Sequence, residues 1–187
     1  FSTMLLVAVA ASVSFLAFTP KADTYTVDLT KSSISWEGKK LVGGHTGTVD
    51  LTSGNLVFNG KKLTGGGFVA NMTGIKTSDN GKPNASLDRH LKADDFFGVD
   101  KFATSTLEFK TIAAKGGDIY TVTADLTIKG KTLPVTFDLA IGNGTARAAF
   151  KVDRTKYGIQ YGSGSFFDNL GDKAINDEFE LTVSLVY

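Results

Sequence analysis

The sequence contains no cysteine among its 187 residues. Without thiols the chain cannot form disulfides, thiolate metal sites, cysteine nucleophiles or cysteine-linked lipid anchors. Histidine, the usual general base near neutral pH, occurs only at His45 and His90. His90 and Asp94 stand one helical turn apart, but two ligands do not make a metal site. We therefore expect no catalytic residues, no metal site and no cofactor.

A surplus of charge is also lacking, because 20 lysines and arginines nearly balance 19 aspartates and glutamates. No basic field is available to condense along a phosphate backbone, so we expect no nucleic-acid partner. The sequence has no Gly-x-Ser-x-Gly nucleophile elbow. The triple glycine at 65–67 is not followed by Gly-Lys-Ser/Thr, so a strand bulge or a close backbone approach explains it better than a phosphate loop.

One apolar run stands apart at the N-terminal end, from Met4 to Phe18. It is shorter than the roughly 20 residues that a membrane-spanning helix needs, and its length suits the apolar region of a secretory signal peptide. We interpret 1–22 as a signal peptide and 23–187 as the exported domain, with an uncleaved anchoring helix as the alternative. Export without cysteine suits a periplasmic or secreted protein, and we expect no stable membrane insertion after signal cleavage.

From Tyr25 onward, apolar and polar residues alternate with a period of two. This pattern is typical of antiparallel strands with one buried and one solvated face. Residues that favour turns, as in Ser53-Gly54 and Asn59-Gly60, interrupt the strands at short intervals and favour tight hairpins. The sequence therefore predicts an all-β meander of about eight to ten strands, in a barrel or a sandwich. We place the strands at 24–29, 32–41, 44–52, 54–59, 63–73, 104–114, 118–129, 132–141, 144–154 and 177–187.

Two segments break the alternation. Residues 84–97 carry Leu87 and Leu91 at helical spacing after Asn84 or Ser86 as a possible N-cap, which predicts one short helix. Residues 155–176 are too long and too rich in glycine for a hairpin loop, and loops of this length are usually functional or mobile.

The predicted inward face mixes large aromatic residues with alanines and carries almost no charge. A closed sheet of about eight strands is either filled by side chains or just wide enough for a small ligand. The small residues favour an elongated apolar slot, whereas apolar stripes more often indicate a packed core. From periodicity alone, the packed core is slightly favoured.

Several motifs are familiar in combination: HLKADDFFGVDKF at 90–102, YTVTADLTIKG at 120–130, KTLPVTF at 131–137, Asp153-Arg154, Tyr157-Gly158 and Gly171-Asp172. Together they resemble the YceI-like family, and 161–181 is similar to its Bacteroidetes-type branch. Ala103 departs from the proline that the family usually has after the aromatic residue. The resemblance implies an antiparallel, up-and-down, lipocalin-like β-barrel whose hydrophobic tunnel holds an isoprenoid chain or another long lipid.

With this resemblance, a lined tunnel becomes the favoured interpretation of the inward face. The expected ligand is a long apolar molecule, such as an isoprenoid quinone, a polyprenyl lipid or a fatty-acid-like compound. The candidate tunnel-lining residues are Trp36, Phe68, Ala70, Phe109, Val122, Leu126, Phe137, Ala148, Phe150 and Phe179.

The predicted helix could cap the mouth of the barrel. Arg89, His90 and Lys92 would then offer donors to a polar head group, beside the aromatic side chains of Phe96 and Phe97. In the alternative interpretation, the apolar residues only anchor the helix and the charged residues face water.

The leading hypothesis is an exported binding protein that sequesters or carries such a ligand, rather than an enzyme. The alternatives are a structural or stress-related envelope module that acts through protein partners and, with less support, a lipid-acting enzyme. The oligomeric state is left open, with a homodimer among the options.

Overall fold

The computed structural model describes residues 22–187, in which nine strands form one antiparallel sheet around a hydrophobic interior. Its one α-helix, α1, spans Ala85–Lys92 and lies between the fourth and fifth strands. The predicted all-β architecture with a single short helix is confirmed. The strands are β1 Asp23–Thr26, β2 Ser33–Lys40, β3 Gly44–Asn59, β4 Lys62–Thr77, β5 Thr104–Gly116, β6 Ile119–Ile128, β7 Lys131–Gly142, β8 Thr145–Asp153 and β9 Ile175–Val186.

The sheet closes on itself. From β2 to β9 each strand pairs with the next one along the chain, and β9 pairs back with β2, where Trp36 lies opposite Leu181. These eight strands form an up-and-down barrel, which removes the open edges of the sheet. The short β1 pairs with the C-terminal half of β3, with Tyr25 opposite Leu56.

The turn expected at Ser53-Gly54 is absent, and the two strands placed at 44–52 and 54–59 are the single strand β3. The register between β3 and β4 shifts between Leu51 and Ser53, so the strand bends there without ending. A Cβ atom on Gly54 would lie 2.7 Å from the ring of Phe68. This glycine therefore accommodates a neighbouring aromatic ring and does not form a turn.

The alternating strand directions give the barrel two distinct ends. The connections 41–43, 78–103, 129–130 and 154–174 lie at one end, here called the mouth end. The connections 27–32, 60–61, 117–118 and 143–144 lie at the other, here called the closed end. Helix α1 therefore belongs to the mouth end, where the sequence pattern places it.

Helix α1 begins as predicted but ends five residues earlier than predicted. The Asn84 side chain caps it by accepting a hydrogen bond from the Leu87 amide at 3.1 Å. Ala93 has an extended ψ of 162°, so the helix ends at Lys92 and residues up to 97 form turns. The Asp88 side chain accepts hydrogen bonds at 2.7 Å from both the amide and the hydroxyl of Thr77, which joins the helix to the end of β4.

A buried arginine holds the long segment between β8 and β9. Arg154 is only 3% exposed and begins a short 3-10 turn at Arg154–Tyr157. The guanidinium donates the hydrogen bonds that a neighbouring strand would otherwise donate to backbone carbonyl groups. The segment can therefore be irregular while these carbonyl groups stay hydrogen-bonded. The guanidinium donates hydrogen bonds of 2.8 to 3.0 Å to the carbonyl oxygens of Ile159, Tyr161, Ile175 and Asn176.

Close packing at the mouth half of the barrel depends on one glycine. Gly47 in β3 lies opposite Trp36 in β2. A Cβ atom there would lie 2.4 Å from Cζ2 of the indole and 2.0 Å from the backbone oxygen of Lys76. The missing side chain therefore makes room for the tryptophan ring.

Replacing Gly47 with alanine should destabilise the protein by about 1–3 kcal/mol, because β4 must move away from the new methyl group. The control is Gly38→Ala in the paired strand, where an added Cβ has no atom within 4 Å. Urea unfolding of both variants measures the difference. Equal stability of the two variants would contradict the packing described here.

Replacing Arg154 with methionine should cost about 3–5 kcal/mol, because the carbonyl groups that it binds lose a buried charged donor. Arg147→Met is the control, since Arg147 is exposed on the outer face of β8. Urea unfolding gives the stability, and hydrogen exchange should show faster exchange confined to 158–176. Unchanged exchange in this segment would contradict the role assigned to the arginine.

Candidate functional site

The barrel encloses an elongated cavity. The volume of this cavity is about 180 Å³, whereas a cavity that holds one water molecule has a volume of about 10–15 Å³. The cavity extends from Leu139 and Leu185 inside the barrel to Leu91 on the helix at the mouth end. It therefore has room for a molecule much larger than water.

Small inward residues create the empty space. Gly38, Ala70 and Ala148 border the cavity on three different strands. A Cβ atom on Gly38 would meet no atom within 4 Å. Since larger side chains at these positions would fill the lumen, the sequence itself leaves the slot open.

Aromatic rings form much of the remaining wall. Phe137 and Phe150 stack with their centroids 4.6 Å apart, and Phe68 lies 5.6 Å from Phe109. Rings that pack on one another keep their orientation without a ligand, so the wall is preformed.

Nine of the ten predicted lining residues border the cavity: Trp36, Phe68, Ala70, Phe109, Leu126, Phe137, Ala148, Phe150 and Phe179. Val122 does not. It is fully buried in a packed cluster with Leu56 and Leu63 towards the closed end. The sequence pattern was compatible with a packed core or with an apolar slot, and the interior contains both. The core is packed towards the closed end, and the lined cavity adjoins it. The role of the nine residues in binding stays a prediction.

At the mouth, Phe96 and Phe97 border the cavity, but Arg89, His90 and Lys92 do not. Leu91 points into the barrel from one face of α1, so the exposed Arg89 on another face points towards water. Phe96 and Phe97 therefore line the mouth of the cavity, whereas the binding of a head group by the predicted mouth residues stays a prediction. Phe96, the half-buried His90 and the exposed Tyr161 form an aromatic group at the mouth, in which the His90 and Tyr161 rings are 4.3 Å apart.

Arg154 is a cavity residue that sequence reasoning did not propose. Its guanidinium carbon lies 5.9 Å from the centroid of the Phe96 ring. The alternation did contain a signal, because Arg154 follows Phe150 and Val152 in the inward register of β8. Burial lowers the pKa of Arg154, an effect that the nearby Asp177 opposes.

Asp177 provides a carboxylate beside this arginine, with Oδ1 3.8 Å from Nη2 of Arg154. Desolvation acts to raise the pKa of Asp177, but hydrogen bonds from Ser163 and Ser165 and the charge of Arg154 outweigh it, so the pKa is lowered. Asp177 is therefore ionised at neutral pH and compensates the buried arginine charge.

The cavity wall also carries a neutral donor without a partner. Trp36 Nε1 is buried and has no hydrogen-bond partner among residues 22–187. Tyr157 Oη is buried and unpaired in the same way, although Tyr157 does not border the cavity. Burial raises the pKa of Tyr157, so its phenol stays neutral. The Trp36 nitrogen has almost no accessible surface, so it faces packed protein atoms and not the open part of the cavity.

The described part of the chain has neither a cluster of potential metal ligands nor a helix suited to span a membrane. Among residues 22–187, no three histidine, aspartate or glutamate side chains come together as potential metal ligands. In the same part of the chain, no helix has the length and apolar character needed to cross a membrane.

Curated relatives match part of the chain. The Staphylococcus aureus proteins UPF0312 protein SAB2563, from strain bovine RF122 / ET3-1, and UPF0312 protein SA2479, from strain N315, are each 36% identical to it over 104 residues. The match covers 49% of this chain and 57% of each relative. The chain thus spans little more than half the length of these proteins.

Solved structures share the fold. BcnA from Burkholderia cenocepacia has a TM-score of 0.70 and 24% identity, over 86% of this chain and 99% of its own. A polyisoprenoid-binding domain from Saccharophagus degradans, implicated in plant cell wall breakdown, has a TM-score of 0.60 and 13% identity over 88% and 97%. The YCEI protein of Campylobacter jejuni has a TM-score of 0.55 and 15% identity over 95% and 90%.

A family model extends the match to the whole barrel. The model described as the YceI-like domain matches residues 25–187, which is every strand except the first two residues of β1. The assignment to a Bacteroidetes-type branch stays a prediction. The closed eight-stranded barrel, its apolar cavity and this match agree, and the chain belongs to the YceI-like domain family.

Proposed function

We propose that this protein binds one long apolar molecule of the isoprenoid or fatty-acyl class, with the tail of the molecule in the barrel cavity. The composition of the cavity wall carries this proposal. Of the residues that border it, only Ser105, Thr106, Arg154 and Asn176 are polar. An elongated apolar slot selects a ligand by the hydrophobic surface that the ligand buries.

The fold comparison supports the isoprenoid class in particular. The Saccharophagus degradans domain that shares this fold is a polyisoprenoid-binding domain. Its identity to this chain is only 13%, so the likeness supports the general class of ligand and not a specific compound.

The ligand proposed here has a weakly polar head, such as a quinone or an ester. Four N–H groups of Arg154 are already donated to backbone carbonyls, and Asp177 balances its charge. Arg89 and Lys92 do not border the cavity. The remaining polar side chains of the wall, Ser105, Thr106 and Asn176, are uncharged, which suits a carbonyl oxygen better than a phosphate.

We further propose that the protein is exported and works as a carrier or sequestering protein in the periplasm or outside the cell. The support is the apolar run from Met4 to Phe18, which lies outside the described residues. Binding is favoured over catalysis because the wall carries a single ionisable side chain, Arg154, which already has its acceptors. A general acid or base for lipid chemistry would need a titratable group facing the cavity.

Ala148→Trp tests whether the cavity is the binding site. A tryptophan side chain in the slot should reduce the affinity for a fluorescent fatty-acid probe at least about tenfold, because it occupies ligand volume. The cost in stability should stay below the roughly 1–3 kcal/mol typical of overpacking a full core. Ala149→Trp is the control, since the next residue of β8 is exposed on the outer face.

Probe fluorescence titrations and thermal melts of both variants separate the possible outcomes. A large loss of melting temperature in Ala148→Trp, with probe affinity unchanged in the folded fraction, would contradict the cavity as the binding site. Equal loss of affinity in both variants would contradict it as well.

Salt distinguishes the proposed weakly polar head group from an anionic one. Contacts to a phosphate weaken as salt rises, because exposed charges are screened over about 10 Å at 0.1 M, whereas the binding of a quinone should be almost independent of salt. Tight and strongly salt-dependent binding of a polyprenyl phosphate, together with weak binding of a prenyl quinone, would overturn the neutral head group and leave the apolar cavity in place.

A further inference from the structure

Large apolar side chains are exposed on two connections at the mouth end. Leu41 and Val42 are 71% and 74% exposed on the turn between β2 and β3. Tyr161, Phe166 and Phe167 are 45%, 51% and 50% exposed on the segment between β8 and β9. We call these five residues the apolar rim. Connections at barrel ends are usually polar, so this grouping at one end needs a physical explanation.

The rim adjoins the entrance of the cavity. A shallow recess lies between Leu41 on one side and Gly164 and Ser165, just before Phe166, on the other. This recess shares Ile175 and Asn176 with the wall of the cavity. On the other side of the mouth, Tyr161 packs against His90 of α1. The exposed apolar groups therefore stand on connections next to the mouth end of the cavity.

The shape of the rim suits shallow insertion into a soft phase. The Lys40 amide donates to the Gly43 carbonyl at 3.0 Å, and Gly43 has a φ of 76°, so Leu41 and Val42 stand at the tip of a tight turn. The charges beside these connections are balanced, since Lys39 lies 3.5 Å from Glu37 and the exposed Lys173 follows the exposed Asp172. Apolar tips beside balanced charges match the interface of a bilayer with zwitterionic head groups, where acyl chains lie beneath the head groups.

We propose that the apolar rim docks onto the surface of a phospholipid bilayer and that the ligand passes between the bilayer and the cavity at this contact. This proposal rests on the proposed function, because it assumes an apolar ligand. A long apolar molecule dissolves poorly in water, so a direct passage avoids exposing it. A protein partner fits less well, since five side chains on two separate connections offer less than the roughly 800 Å² per partner of a stable interface.

Two double variants with matched chemistry test the proposal. Leu41→Ser with Val42→Ser removes the tip of the rim. Leu29→Ser with Ile119→Ser removes two apolar side chains of 43% and 42% exposure at the closed end, and serves as the control. All proteins in this test consist of residues 23–187, so that the apolar run from Met4 to Phe18 cannot bind vesicles by itself. These residues include the whole match to the family model, which begins at residue 25.

The measurements are flotation with phosphatidylcholine and phosphatidylglycerol vesicles, and the transfer rate of a fluorescent fatty acid from the protein to these vesicles. The unaltered protein should float, and its transfer rate should rise with vesicle concentration. The rim variant should lose vesicle partitioning by about tenfold to a hundredfold, and its transfer rate should become independent of vesicle concentration. Its affinity for the probe in solution should not change, and the control should behave like the unaltered protein.

Three results would overturn the proposal. The first is equal flotation of the rim variant and the unaltered protein. The second is a transfer rate of the unaltered protein that does not depend on vesicle concentration. The third is a dimer of the unaltered protein in sedimentation that the rim variant does not form, together with no vesicle binding by the unaltered protein. This result would show that the rim binds a second copy of the chain. A protein that takes up no probe in solution refutes the proposed function, while flotation alone still reports on the rim.

Discussion

The pairing of β9 with β2 is the contact on which the rest of the structure depends. It closes eight strands into a ring and satisfies their backbone groups within the sheet. Once the ring is closed, each inward side chain competes for a lumen of fixed size. Leu56, Leu63 and Val122 fill this lumen towards the closed end. Gly38, Ala70 and Ala148 leave it open in the adjoining part, so the cavity follows from side-chain volume in a closed sheet.

At the mouth end, side-chain hydrogen bonds and not strand pairing order the backbone, because the ring of paired strands does not extend over it. The segment between β8 and β9 has no strand partner, and its carbonyl groups are bound by the guanidinium of Arg154. This arrangement buries a charge at the edge of an apolar cavity, and Asp177 provides the compensation. The hydrogen bonds to these carbonyl groups also take four of the five N–H donors of the arginine. The mouth therefore combines an ordered irregular segment with little free charge, which is the reason for expecting a weakly polar ligand head.

Period-two alternation predicted the antiparallel meander and several inward-facing residues, whereas the closed barrel and its lined cavity were expected only from the resemblance to the YceI-like family. Ser53-Gly54 misled the prediction, since a glycine that accommodates Phe68 looks the same in sequence as a glycine in a turn. Val122 shares its alternation with Leu126, and only the position along the barrel axis separates the packed core from the cavity. Arg154 was missed because a buried arginine is identified by its acceptors, and these are backbone carbonyl groups of an irregular segment and of the start of β9, which side-chain patterns do not reveal.

Native mass spectrometry of residues 23–187, purified from cells without detergent, is the most direct test of whether the barrel holds an apolar ligand. We expect a complex with one apolar molecule per chain, which organic extraction releases as a long-chain lipid with a neutral, oxygen-containing head. An empty protein that also takes up no isoprenoid quinone, polyprenyl lipid or fatty acid when these are offered in solution would contradict lipid binding by the cavity.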